Sequence, residues 1–314
     1  MQWQKEKIKL DNNTTVDAQA PIIISASRST DIPTFYSDWF ISRWEAGYIK
    51  WTNPFNGQPL YVSFKNTRLV VFWTKNPRPM FKHLDYLDKN IPNYYFQFSL
   101  NDYDKEKYEA KVPSVESRIK TFKELSQRLG KKRVVWRYDP LILTKDIDVN
   151  ELLQRVKNIG NQIHEFTEKL VFSFVDIGIY KKVQNNLNKE QVPYIEWTEE
   201  LMDEFASKLC NINKSWGLHL GTCSEKIDLD KYGIVHNKCI DDDLMIDLFS
   251  EDKELMDFLG VEITPADLFS DGEVIKTKKL KDKGQREDCG CIMAKDIGAY
   301  NTCPHECNYC YANA

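Results

Sequence analysis

Six short apolar runs, each leading into a stretch of helical periodicity, narrow most sharply what this chain can fold into. "PIIISAS" (21–27), "RLVVFWTKN" (68–76), "YYFQFSL" (94–100), "RVVWRYDP" (133–140), "KLVFSFVDI" (169–177) and "LHLGTCSE" (218–225) are rich in β-branched and aromatic residues and read as strands. Helical patterns follow them in "PTFYSDWFISRWEAG", in Pro79 to about Lys89, in "VPSVESRIKTFKELSQRLG" ended by Gly130, around 149–166, in "WTEELMDEFASKLCNINKSWG" and near 242–250. Strand and helix alternating six times require parallel strands joined by helical crossovers. The expected fold is a (β/α) TIM-like barrel of six or more parallel strands, which also accounts for a length of 314 residues. The expected organisation is an N-terminal extension (1–20), a barrel (21–250) and a C-terminal segment (251–314) packed on the barrel as part of one compact unit.

Each run begins apolar and turns polar at its carboxyl end, the face where barrel enzymes place their chemistry. The first ends in Ser25, Ser27 and Arg28 with Asp31 beyond. The second ends in Trp73, Thr74, Lys75 and Asn76, and the third carries Gln97, Ser99 and Asn101. Arg137, Tyr138 and Asp139 close the fourth, Ser173 and Asp176 the fifth, and Thr222, Cys223, Ser224 and Glu225 the sixth. Solvent at a strand end explains any one of these residues. It explains less well why Lys75, Arg137 and Asp139 adjoin strongly apolar cores.

The cysteines say what such a mouth is for. The 43 basic and 47 acidic side chains give a net charge of −4, so no stable nucleic-acid complex is expected. The start, "MQWQKEKIKLDNN", has no apolar stretch behind its charges, and no run of about 18 apolar residues follows, which predicts a cytoplasmic protein without membrane spans. In a reducing compartment thiols serve metals or catalysis rather than disulfides. Of eight cysteines, five fall from Cys289 onward, and Cys303, Cys307 and Cys310 form a C-x3-C-x2-C triplet in "NTCPHECNYCYANA". A structural zinc site needs a fourth ligand, for which Cys289, Cys291 or His305 is at hand. A [4Fe–4S] cluster held by a triplet keeps one iron without a protein ligand.

The triplet with aromatic Tyr309 before its last cysteine resembles the signature of the radical S-adenosylmethionine (SAM) superfamily. The resemblance implies a [4Fe–4S] cluster on Cys303, Cys307 and Cys310 whose open iron is chelated by SAM, cleavage of SAM to a 5′-deoxyadenosyl radical, and Tyr309 near the adenine. "SASRSTDIP", "FWTKNP", "YYFQFSL", "WRYDP", "FSFVD", "TCSE", "QREDCGC" and "DIGAYNTCPHECNYCYAN" together resemble, from about residue 21 onward, an uncharacterised-domain family with such a cluster at its C-terminus. Some of its members are similar to a lyase that cuts the cyclopentenediol group from the base queuine, leaving an aminomethyl-deazaguanine for queuosine salvage. Carbon–nitrogen bond cleavage in queuine is therefore the expected reaction. The alternative is a metal-stabilised protein that binds a modified base or tRNA without radical chemistry. The chain departs from the superfamily in two ways: "SRSTD" stands after the first strand where the cysteines usually lie, and no "GGE" follows the second. The tail must then fold back over the mouth.

The remaining candidates follow from chemistry. The SAM carboxylate asks for a cation, Arg137 or Lys75, and its ribose and amino groups for acceptors, Gln97, Ser173 and Asp176. The donor pair of a deazaguanine asks for a carboxylate from Asp31, Asp139 or Glu225, its carbonyl for Arg28 or Asn76, and its flat ring for Trp73 or Tyr138. Cys223, Cys239, Cys289 and Cys291 are candidates for an auxiliary metal. The basic run "KTKKLKDKGQR", just upstream of the cluster, is a candidate dock for a flavodoxin or ferredoxin-type electron donor.

Overall fold

Alternating side chains along each strand divide the interior between two cores. A computed structural model describes residues 3–53, 56–175, 177–178, 181–264 and 273–313. Its main sheet comprises β1 (Ile23–Ala26), β2 (Leu69–Thr74), β3 (Asn93–Ser99), β4 (Val134–Leu141), β5 (Lys169–Phe174), β6 (His219–Thr222), β7 (Ile234–His236) and β8 (Lys295–Asp296). All eight run parallel, side by side in chain order from β1 to β7, with β8 added beside β1.

Val70 and Phe72, Phe96 and Phe98, Trp136 and Leu170 face one core, shared with Phe40, Leu87, Phe122, Leu152 and Phe205 from the crossover helices. Leu69, Val71, Tyr95, Val135 and Val171, one residue out of step, face the second. That core is filled by Cys239, Ile240, Met245, Leu255, Leu259, Cys289, Cys291 and Ile292. The helices form where the sequence marks their ends. Val115–Leu129 is capped by the Ser114 hydroxyl and stops at Gly130, whose φ of 91° a side chain would resist.

The six expected strands are present in one parallel sheet flanked by helices, and among the described residues the sheet does not close into a barrel. No ladder joins β7 to β8; among the described residues the gap is crossed by the Ile292 N–H donating to the Ile240 carbonyl, 3.1 Å. Two strands went unforeseen, the three-residue β7 and the two-residue β8, each too short to show a period. Residues 1–20 are more than an extension, because Lys5–Lys9 and Thr15–Gln19 form a hairpin that joins Pro59–Ser63 and Tyr48–Thr52 in a separate four-stranded sheet. The C-terminal segment, expected to pack on the barrel, supplies β8 of the main sheet. No described helix is long and apolar enough to cross a membrane.

Candidate functional site

The polar carboxyl ends of the strands open on a cavity of about 330 Å³, and the tail forms its other wall. Asp296 fixes the tail to β1, accepting hydrogen bonds from the Ser25 hydroxyl at 2.8 Å and the Arg28 amide at 2.9 Å. Gly298 passes so close to Ser27 that an added Cβ would lie 2.7 Å from the serine Cβ, which explains a residue without a side chain there. The Trp51 indole donates to the Gly298 carbonyl, 2.9 Å, and the Tyr36 hydroxyl to the Thr302 carbonyl, 2.6 Å. His305, spaced between Cys303 and Cys307, is a tie rather than a spacer: its Nε2 meets Asp31 Oδ2 at 2.9 Å.

Cys303, Cys307 and Cys310 all line this cavity. The Ala312 amide donates to Cys310 Sγ, 3.4 Å, while burial and the neighbouring thiols push Cys307 well above the usual thiol range. No three cysteine sulfurs among the described residues lie mutually within 4.8 Å, in the triplet or elsewhere. The thiols are the soft donors that an iron–sulfur cluster uses.

Behind the triplet stands a buried ionic knot. Lys75 Nζ lies 2.6 Å from Glu109 Oε1, Arg118 Nη1 lies 3.0 Å from Glu109 Oε2, and the Tyr309 hydroxyl donates to the same carboxylate. Lys75 and Asn101 each donate to the Tyr309 hydroxyl at 3.0 Å. Burial alone would raise Glu109, yet Lys75 and Arg118 hold it down at about 2. Tyr309 therefore belongs to the cavity wall, and Lys75, expected to meet a SAM carboxylate, already has its anion. Asn101 was read as a polar strand end, but Glu109 and Arg118 were not singled out from the sequence, where neither "KYEAKVP" nor "VESRIK" carries a motif and only spatial convergence reveals them.

On the facing side two guanidiniums flank one ring: Arg28 lies 5.4 Å and Arg137 5.1 Å from the Trp73 centroid. Arg137 is committed to Asp139, to Gln97 Oε1 at 3.3 Å and to Cys239 Sγ at 2.8 Å, and Ser173 donates to Asp139 as well. In contrast, Arg28 Nη2, Trp73 Nε1 and Ser224 Oγ are buried without a hydrogen-bond partner. Ser224 also holds a φ of 60°, a conformation non-glycine residues avoid. Unsatisfied donors beside a cavity are places where a ligand gains hydrogen bonds at no cost to the protein's own.

The other expected residues are placed less favourably. Asp31 lines the cavity but is spent on the Thr34 and Lys75 amides and His305, which outweigh burial and hold it ionised. Gln97 and Tyr138 are buried off the cavity; Gln97 donates to the Cys239 carbonyl at 2.8 Å, and the Tyr138 hydroxyl accepts from the Asp102 amide at 3.3 Å. Asn76 also lies off it, its side chain accepting from the Arg78 amide at 3.3 Å. Glu225 accepts from the Phe174 amide at 2.9 Å, and burial pushes it up to about 8, so at neutral pH it is a proton donor and not the bidentate acceptor expected. Asp176 lies outside the described residues. The basic run is partly engaged within the chain: Lys276 with Asp242 at 2.8 Å, Lys278 with the Asp257 carbonyl at 2.6 Å.

Four of the five other thiols, Cys223, Cys239, Cys289 and Cys291, also reach the cavity, Cys223 Sγ lying 3.5 Å from Cys239 Sγ. All eight cysteines are free of disulfides. Residues 23–312 match the model of a family described as a domain of unknown function, DUF1848. No curated protein and no solved structure matches the chain.

Proposed function

This chain belongs to the DUF1848 family, and we propose that it is a radical SAM lyase that cleaves the carbon–nitrogen bond joining the cyclopentenediol of queuine to its aminomethyl-deazaguanine. The observation that carries the reading is the meeting of the Cys303, Cys307 and Cys310 thiols with the polar ends of β1 to β6 in one cavity. Winding in chain order supports an open (β/α) barrel as the chamber.

Bound at the triplet, a [4Fe–4S] cluster with SAM supplies one-electron cleavage of the sulfonium and hydrogen abstraction from an unactivated C–H bond, chemistry beyond side-chain acids and bases. The chain's own residues bind and orient. Arg28 takes the SAM carboxylate in place of Lys75 and Arg137, because its Nη2 is a buried guanidinium donor without a hydrogen-bond partner among the described residues. Asp139, held ionised by Arg137 and Ser173 against its burial, receives the donor edge of the base, and Trp73 offers its face to the ring. Glu225, protonated at neutral pH, is a proton source beside the chamber.

Anaerobic incubation of the reduced protein with SAM and queuine should release 5′-deoxyadenosine and the aminomethyl base in step. Cys307→Ala should lose cluster iron and both products together. Formation of 5′-deoxyadenosine with queuine intact would leave the cofactor reading and reject the substrate. Neither product from a fully loaded, reduced protein would reject both.

A further inference from the structure

Four thiols that the triplet does not use meet where the sheet is incomplete. Cys223 follows β6, Cys239 follows β7, and Cys289 and Cys291 lie in the strand-free stretch before β8. Cys223 and Cys239 Sγ are 3.5 Å apart, near the roughly 3.8 Å that two thiolates show on one zinc with ~2.3 Å bonds. Cys291 Sγ accepts the Cys239 amide at 3.2 Å and the Ile240 amide at 3.4 Å. Cys239 Sγ accepts from Arg137 Nη1 at 2.8 Å and Asn237 Nδ2 at 3.3 Å. Buried thiols that only fill space attract no such set of donors, whereas anionic sulfur does. No oxygen or imidazole intrudes on the set, and an all-sulfur set favours zinc or iron over harder cations. With no three sulfurs mutually within 4.8 Å, they form a string that an ion would draw together by side-chain rotation.

The position explains a use for the ion. Cys223 and Cys239 sit on the β6–β7 side of the gap and Cys289 and Cys291 on the β8 side, where a single backbone hydrogen bond, Ile292 to Ile240, replaces a ladder among the described residues. We propose that Cys223, Cys239, Cys289 and Cys291 bind one divalent ion as four thiolates, zinc by the chemistry of the set, which holds the β7 and β8 edges together. This site is independent of the triplet and of the reaction proposed above.

The test uses the full chain with Cys303→Ala, Cys307→Ala and Cys310→Ala combined, so that the triplet contributes no metal. After expression with zinc and iron both supplied, this variant should retain about one zinc per chain. Adding Cys289→Ala and Cys291→Ala should remove it. Stripped of zinc, the triple variant should take up Co(II) with the intense near-ultraviolet thiolate-to-cobalt band of a tetrahedral all-sulfur site, and zinc should raise its unfolding temperature. The Co(II) and zinc readouts need no folded quintuple variant. A triple variant that holds no zinc and gives no such cobalt band would overturn the proposal, and so would retention of iron with acid-labile sulfide in place of zinc.

Discussion

The two walls of the cavity are built on opposite principles. Around Glu109 the charges are paired: Lys75 at 2.6 Å, Arg118 at 3.0 Å and Asn101 at 3.2 Å converge on one fully buried carboxylate, with only Arg118 Nε left without a partner in the knot. Around Trp73 the donors outnumber their partners, with Arg28 Nη2, the indole N–H and Ser224 Oγ all buried and unanswered. A closed network positions what it touches, while an open set of donors waits for a ligand's acceptors. The first wall holds Tyr309 and, through it, the triplet; the second faces the space between.

If that contrast is right, the walls should fail differently. The largest effect is expected at Glu109→Ala, which strands Lys75 as a buried cation, leaves Arg118 only Asp104 at 3.3 Å, and should cost about 3–5 kcal/mol of unfolding free energy by denaturant titration. Gly298→Ala comes next. Its methyl would collide with Ser27 and push the tail from β1, at about 1–3 kcal/mol, with reduced iron loading. Arg28→Met should leave the unfolding midpoint nearly unchanged and weaken SAM binding by roughly tenfold to a hundredfold, measured by calorimetry on the cluster-loaded protein. An Arg28 variant as unstable as the Glu109 one would erase the distinction.

The last effect is a slope. Glu225 rises from 4.5 to about 8 on folding, so the native state holds a proton that the unfolded state has released. Stability from this group is therefore complete below pH 4.5 and is lost as pH climbs toward 8. Glu225→Gln should flatten that decline, and parallel curves of unfolding midpoint against pH for the two proteins would contradict it.

What could be read from the sequence follows from range. "RLVVFWTKN" and its five counterparts announce strands because the apolar residues that make them are neighbours in the chain, and Gly130 announces a helix end for the same reason. The triplet stood out as a candidate because its three cysteines are neighbours in the chain, and their thiols line one cavity. The Lys75–Glu109 pair was not, because the strand end that carries Lys75 gives no sign of a carboxylate waiting in a later loop. Arg137 and Asp139 were placed in the cavity correctly, yet their mutual pairing, two residues apart on one strand end, depends on side-chain directions that no pattern records. The strands β7 and β8 escaped notice because they span three and two residues.

The hydrogen bond from Ser25 to Asp296 joins residues 271 positions apart, and it is the contact that seats β8. Closing so long a loop is entropically late, since its cost must be met before the local strands and helices gain from it. During synthesis, β1 to β7 can pair as they emerge from the ribosome, while the rim that presents the three terminal thiols has to wait for residues 295–296. If the triplet takes the cluster proposed above, its three thiols would be presented on a scaffold whose strands β1 to β7 are already paired, and a maturation factor would meet a nearly finished rim.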